Sequence, residues 1–259
     1  VSTKNGYVTN DGDIKEDLMQ YVMREYGKTG IVKEGDISPG YHCMTIPYLN
    51  DQLERSLKNL GLDCVDLMYL HHCNFGKQEQ YFDDAVETIR RFQAEGKTRF
   101  IGLSDWFSDK VMKFIERCDP DVIQPYRNVM DDTYATTGLK DYVESNNLGI
   151  CFFSPIKHGL LTGKYTKPAT FESGDFRTTV KDFADQNMID KMQVNKVKLE
   201  ERFSDHPQPV MHGLVDALLT DVPTGCVLLG QRNVVQVEAA AQLGDALSIK
   251  ESGWVKSLY

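Results

Sequence analysis

The chain has no run of lysine or arginine, no apolar stretch of membrane-spanning length, and no CxxC pair. Each absence removes a class of function. The 259 residues carry a formal net charge of −9 at pH 7, so neither nucleic acid nor an anionic membrane surface is expected as the main partner. A local basic pocket for an anionic cofactor stays compatible with that balance. Nothing approaches the roughly 18 apolar residues of a membrane span, and no signal peptide is evident. The six cysteines are scattered, and Cys64, Cys118, Cys151 and Cys226 sit in or beside apolar runs, as small buried hydrophobes do. A reduced, cytoplasmic protein is the expectation. No GxGxxG follows a strand, which argues against a doubly wound nucleotide-binding sheet.

What is present is alternation. The composition, 41% hydrophobic and 26% charged, suits a globular chain. NDQLERSLKNLGL places Leu53, Leu57 and Leu60 at i, i+4 and i+7, with Asn50 or Asp51 as N-cap and Gly61 as the stop. Helical patterns DDAVETIRRFQAEGK, SDKVMKFIERC, GLKDYVESNNLG, MIDKMQVNKVKLEERF, HGLVDALLTD and NVVQVEAAAQL follow, with a terminal helix to Tyr259. Between helices lie strands VDLMYL, RFIGL, DVIQ, ICFF and GCVLL, with a possible sixth at VST. This rhythm predicts a parallel sheet with helical crossovers. No linker interrupts it, so residues 1–259 are expected to form one domain, a (β/α)8 TIM barrel. Such a barrel needs eight strands. The deficit falls at the amino end, so the chain is expected to start near the third barrel strand, consistent with an opening Val1 that lacks an initiator methionine. The segment 5–50 is long for a connection and contains a helix-like stretch, DIKEDLMQYVMREYG, a candidate lid or partner surface.

In a barrel the chemistry collects at the carboxyl ends of the strands. Read in order, those ends are Lys4, His71-His72, Ser104-Asp105-Trp106, Gln124, Phe153-Ser154 and Gly230-Gln231-Arg232. Any one alone is an ordinary strand-terminating residue; together they predict a shared rim. VDLMYLHHC leaves three readings for its histidines: a metal site, catalysis, or the end of a strand. Strand alternation should send His71 and His72 to opposite sides, which disfavours joint chelation. Asp66, the nearest carboxylate along the strand, opens that same strand. No metal is expected.

These residues resemble the aldo-keto reductase family. The segments carrying the resemblance are STK at 2–4, LERSLKNLGLDCVDLMYLHH at 53–72, EGKTRFIGLSDW at 95–106, VIQPYRN at 122–128, FFSPIKHGLLTGKY at 152–165 and VLLGQRNVVQVE at 227–238. The resemblance implies an eight-stranded β/α barrel that binds NADPH/NADP+ without a Rossmann domain and reduces small-molecule carbonyls. It places Lys4 and His71 in the catalytic tetrad, with the tetrad's Asp and Tyr upstream of Val1. Lys4 would lower the pKa of the proton-donating tyrosine, and a neutral His71 would hold the carbonyl oxygen. His72 would be structural or line the rim.

For the cofactor, the resemblance implies Phe153 against the nicotinamide ring, with Ser104, Asp105 and Gln124 around its carboxamide. Asp105 replaces the family's frequent Asn, which makes one contact acceptor-only. Ser154, Pro155, Ile156, Gly159, Leu161 and Lys164 match the pyrophosphate loop, and Lys164 with Arg177 can neutralise phosphate charge. Gly230, Arg232 and Gln236 match the adenosine-phosphate site, where Arg232 favours NADPH over NADH. Ala239 and Ala240 depart from the family's Glu-Asn, implying altered adenine binding. The alternative is a non-catalytic NADP-binding module, such as the potassium-channel beta subunits of the same fold. Substrate identity and oligomeric state are not legible.

Overall fold

The computed structural model describes residues 1–9, 16–222 and 224–259, and the chain packs as two compact units. The first comprises Val1–Gln124 with Asn146–Leu148, and the second Pro125–Ser145 with Gly149–Tyr259.

In the first unit, β1 (Ser2–Asn5), β2 (Val65–His71), β3 (Thr98–Asp105) and the start of β4 (Val122–Pro125) follow in chain order. The pairs β1–β2 and β2–β3 are parallel. VST is thus the start of a true strand. The described part of segment 5–50 holds α1 (Leu18–Val22), then a π-turn over Met23–Gly27; residues 10–15 of its helix-like stretch lie outside the described residues. It has a core of its own, formed by Val8, Val22, Tyr26, Val32, Cys43 and Tyr48. Tyr48 belongs to α2 (Ile46–Leu60), so the segment is pinned to the next helix.

Helix α2 ends where its sequence says, on Gly61 in the left-handed conformation (φ 65°). It starts earlier than expected. Thr45 precedes it and Pro47 lies in its first turn, where proline's missing N–H costs nothing. Leu49, Leu53 and Leu57 face inward, each burial contributing about 1.5–3 kcal/mol. Helices α3 (Phe82–Ala94) and α4 (Ser108–Cys118) pack against β3.

In the second unit, the end of β4 meets β5 (Gly149–Phe152): the N–H of Phe153 donates to the Pro125 carbonyl at 3.2 Å. Strand β6 (Cys226–Val227) runs parallel to β5. It is shorter than GCVLL predicts, because the chain leaves the ladder after Leu228 N–H bonds the Phe152 carbonyl. Short helices α5 (Thr133–Thr136) and α6 (Leu139–Asn146) connect β4 to β5, and α7 (Gln186–Arg202) follows. HGLVDALLTD is no simple helix: α8 (Pro209–Met211) and α9 (Ala217–Leu219) flank a π-turn at His212–Asp216. Two more helices close the chain, α10 (Val234–Ala240) and α11 (Ile249–Leu258), the latter with a full Ser248/Glu251 capping box. None of the helices among the described residues is long and apolar enough to cross a membrane.

Candidate functional site

Register decides which side chains of the first unit share a face. Lys4 lies opposite Tyr69, Tyr69 opposite Gly102, and His71 opposite Ser104. Because side chains alternate along a strand, Lys4, Tyr69, His71 and Ser104 all project from the same face. Gly102 is the floor beneath them. A Cβ there would lie 2.4 Å from the Tyr69 ring, so only glycine admits the tyrosine. The Lys4 ammonium donates to Ser104 Oγ at 3.1 Å and lies 5.8 Å from the centre of the Tyr69 ring.

Burial, reinforced by the nearby Lys4 charge, pulls the His71 pKa down to about 3. His71 is therefore neutral at any ordinary pH, with one ring nitrogen to donate and the other to accept. Ser104 is 1% exposed, as is Asp105 beside it. Gln124, at the end of β4, is buried, and its Oε1 has no hydrogen-bond partner among the described residues.

His72 does not go to the opposite side. Its backbone turns left-handed (φ 70°) immediately after β2, which cancels the alternation on which that expectation rested. The two rings meet edge to face with centroids 4.6 Å apart. Sequence reading also missed Tyr7 and His42. Tyr7 forms an isolated antiparallel bridge to His42, setting its ring 5.3 Å from His71, 5.7 Å from His72 and 5.1 Å from His42. Burial, with the neighbouring His72, lowers the His42 pKa to about 4. Burial also lowers that of His72, against the opposing pull of Asp105.

Asp105, rather than Asp66, is thus the carboxylate that acts on His72. Its two oxygens accept from the backbone N–H groups of Cys73 (2.6 Å) and Phe107 (2.9 Å). That arrangement holds the turn after His72 against the end of β3. It also occupies the carboxylate that the resemblance assigns to the cofactor.

The neutral histidines carry a pH consequence. Their folded-state pKa values lie below the unfolded value of about 6.5, so the unfolded chain takes up protons first as pH falls, and stability is lost in that direction. Urea unfolding should show lower stability at pH 5 than at pH 7, with His42 alone accounting for about 1–2 kcal/mol. The His42→Gln variant should show a correspondingly smaller loss. An unchanged pH dependence in that variant would reject a neutral His42.

In the second unit, Phe153 packs edge to face on Tyr126 at 5.6 Å. The backbone then runs through a rare series of left-handed residues: Ser154 (φ 60°), Lys157 (46°), His158 (55°) and Gly159 (91°). Such turns gather backbone N–H groups into anion-binding concavities. Pro155, Gly159 and Leu161 are buried along this turn, Ile156 is half-buried, and Ser154 Oγ is buried with no partner among the described residues. Lys164 folds back over the turn, its Nζ 3.0 Å from where a Cβ on Gly159 would sit.

Arg177 is committed elsewhere. Asp175 takes its guanidinium in a two-oxygen fork, Phe171 lies under it at 4.2 Å, and the Asp175 pKa falls to about 2 mainly through those hydrogen bonds. Gly230, Arg232 and Gln236 are exposed around the start of α10. Asn233 caps that helix by accepting from the Gln236 N–H at 3.0 Å, and Gln236 Oε1 accepts from the Arg232 N–H at 2.6 Å. Ala239 and Ala240 are half-buried near its end.

One group of side chains among the described residues could hold a metal ion. It consists of His206, His212 and Asp216. Both His206 nitrogens and one of His212 are engaged within the protein: His206 Nδ1 accepts from the Gln208 N–H, His206 Nε2 lies 3.1 Å from the Gln242 carbonyl, and His212 Nδ1 lies 2.6 Å from Asp216 Oδ2.

Comparison with known proteins gives the chain's family. The family model described as "Aldo/keto reductase family" matches residues 27–257. The L-glyceraldehyde 3-phosphate reductase of Escherichia coli K12 is 26% identical over 203 residues, covering 75% of this chain and 58% of that protein. An NADP(+) aldo-keto reductase of Schizosaccharomyces pombe is 26% identical over 57% of this chain and 43% of its own length. The chain thus spans about three-fifths or less of these relatives. In structure, the glycerol dehydrogenase of Gluconobacter oxydans superposes with a TM-score of 0.71 at 22% identity, covering 84% of this chain and 65% of that one. The parallel strands with helical crossovers are accordingly of the β/α-barrel type, and the chain belongs to the aldo/keto reductase family.

Proposed function

We propose that the protein is an NADP(H)-dependent oxidoreductase that reduces aldehydes or ketones to alcohols. The observation that carries this reading is the shared face of Lys4, His71 and Ser104, with a neutral imidazole beside an ammonium at adjoining strand ends. A carbonyl oxygen gains negative charge as its carbon is reduced. A neutral imidazole N–H and a nearby ammonium are groups that stabilise that charge. His71 holds the oxygen in place, and Lys4 supplies the positive field. Fixing the carbonyl this way contributes to rate through orientation.

The residues also suit the cofactor. Gln124 Oε1, buried and unpartnered among the described residues, is the acceptor that a carboxamide NH2 needs, and Ser154 Oγ is likewise unsatisfied. NADPH, when bound, supplies the hydride. Ser104 and Gln124 would hold its carboxamide, and Phe153 would stack on its ring. The turn from Ser154 through Pro155, Ile156, Gly159 and Leu161, with Lys164 above it, would take the pyrophosphate. Gly230, Arg232 and Gln236 would take the adenosine phosphate. Asp105 acts on this site by holding the turn that follows His72. Relatives named as reductases of glyceraldehyde 3-phosphate and of methylglyoxal support a small carbonyl substrate, and a relative named for NADP(+) supports the cofactor.

The purified protein should oxidise NADPH when given a short aldehyde, read as loss of nicotinamide absorbance. NADPH binding without any turnover across an aldehyde panel would overturn the catalytic reading. Arg232→Ala should weaken NADPH by roughly tenfold to a hundredfold, the worth of a charge-assisted pair, while NADH binding changes little. Equal losses for both cofactors in a fluorescence titration would remove the 2′-phosphate assignment.

A further inference from the structure

Three of the six cysteines, Cys64, Cys151 and Cys226, break the pattern expected of buried hydrophobes, and two of them are paired. Cys43, Cys73 and Cys118 are buried, and burial pushes all three thiols up, Cys118 to about 12. Thiols in that state are inert. Cys226 is exposed, Cys151 is half-buried, and the two are register partners on neighbouring parallel strands β6 and β5. Register partners project to the same face. Neighbouring strands lie about 4.8 Å apart, which falls inside the Cα separation that a disulfide spans. The Cys151 thiol hydrogen-bonds the Cys226 sulfur and stabilises its thiolate, drawing the Cys226 pKa down to about 7.

We propose that Cys151 and Cys226 form a peroxide-sensitive dithiol that closes reversibly to a disulfide across β5 and β6. This proposal does not depend on the carbonyl-reductase reading. The Cys226 thiolate attacks a hydroperoxide oxygen; the S–O bond forms as the O–O bond breaks, and the departing alkoxide or hydroxide takes a proton and leaves. Cys226 is then a sulfenic acid. The Cys151 sulfur attacks Cys226, so that S–S forms, S–O breaks, and the oxygen departs as water carrying the Cys151 proton. Two thiols lose two electrons and the peroxide gains them. A cross-link confined to adjacent ladder positions is easily reduced, as a switch requires. It would tie β6 to the strand that leads into Phe153 and Ser154.

At pH 7, a thiol-alkylating reagent should modify Cys226 roughly tenfold faster than an ordinary exposed cysteine, in keeping with its larger thiolate fraction. Mild hydrogen peroxide should lower the intact mass of the purified protein by two hydrogens. Peptide mapping without reductant should find Cys151 joined to Cys226, and dithiothreitol should restore both thiols. In Cys151→Ser, peroxide should leave a Cys226 sulfenic acid that dimedone traps. The proposal is overturned if peroxide leaves both thiols free, oxidises a buried cysteine first, or links Cys226 between two molecules.

Discussion

Arg127→Met is expected to lower the unfolding free energy by about 3–5 kcal/mol, the cost of removing one partner from a buried ion-pair network. Arg127 is fully buried in the second unit. Its guanidinium donates to both oxygens of Asp132 (2.6 and 2.9 Å), to Asp221 at 2.9 Å and to the Leu218 carbonyl at 3.1 Å. The rings of Tyr134 and Phe152 lie 4.8 and 4.7 Å away. Methionine fills much of the volume but leaves two carboxylates without their shared guanidinium, with Lys256 still near both and Lys140 near Asp221.

Burial acts to raise the pKa values of Asp132 and Asp221, yet hydrogen bonds and the charges of Arg127 and Lys256 bring both below the ordinary carboxylate value. A depressed folded-state pKa stabilises the fold at pH above the unfolded value of about 3.9, and that stability is lost as pH falls further, through the folded pKa. The variant's deficit in urea unfolding should therefore be full at pH 7 and shrink in strong acid. A deficit below about 1 kcal/mol at pH 7, the worth of an exposed pair, would mean that the network contributes no more than a surface ion pair.

His71→Ala should lower kcat/KM for a test aldehyde by roughly 10²–10⁴, the usual worth of a group that orients or exchanges protons with the substrate, while NADPH affinity stays nearly unchanged. His72→Ala should cost less, roughly tenfold, because its ring braces His71 from 4.6 Å whereas His71 itself stands in register with Ser104 on the face that carries Lys4. Steady-state kinetics of the two single variants separate the roles. If His72→Ala is the more damaging, the substrate is held by His72. If a chelator abolishes activity to the same extent as both substitutions, the pair binds a metal and the orienting role falls.

Much of the fold is legible because its signals are local. The spacing of Leu53 and Leu57, the left-handed Gly61, and the apolar runs of β2, β3 and β5 act over a few residues, and the corresponding elements form where those signals stand. Details were lost where the sequence pattern left room for more than one helix start or winding. Thr45 and Pro47 start α2 ahead of Asn50, and the helix expected from His212 is wound as a π-turn over His212–Asp216.

The candidate site divides in the same way. The sequence by itself determined that Lys4, His71, Ser104 and Gln124 stand at strand ends, because strand period and length follow from the apolar runs that precede them. Tertiary structure alone decided the rest. The register of three parallel strands put Lys4, His71 and Ser104 on one face. A single left-handed residue turned His72 onto His71, and a bridge across a long segment brought in Tyr7 and His42. Pairing of β5 with β6 set Cys226 beside Cys151. Periodicity along a chain fixes which way a side chain leaves its own strand, but its neighbours on other strands depend on register, and register is set only when the strands pair.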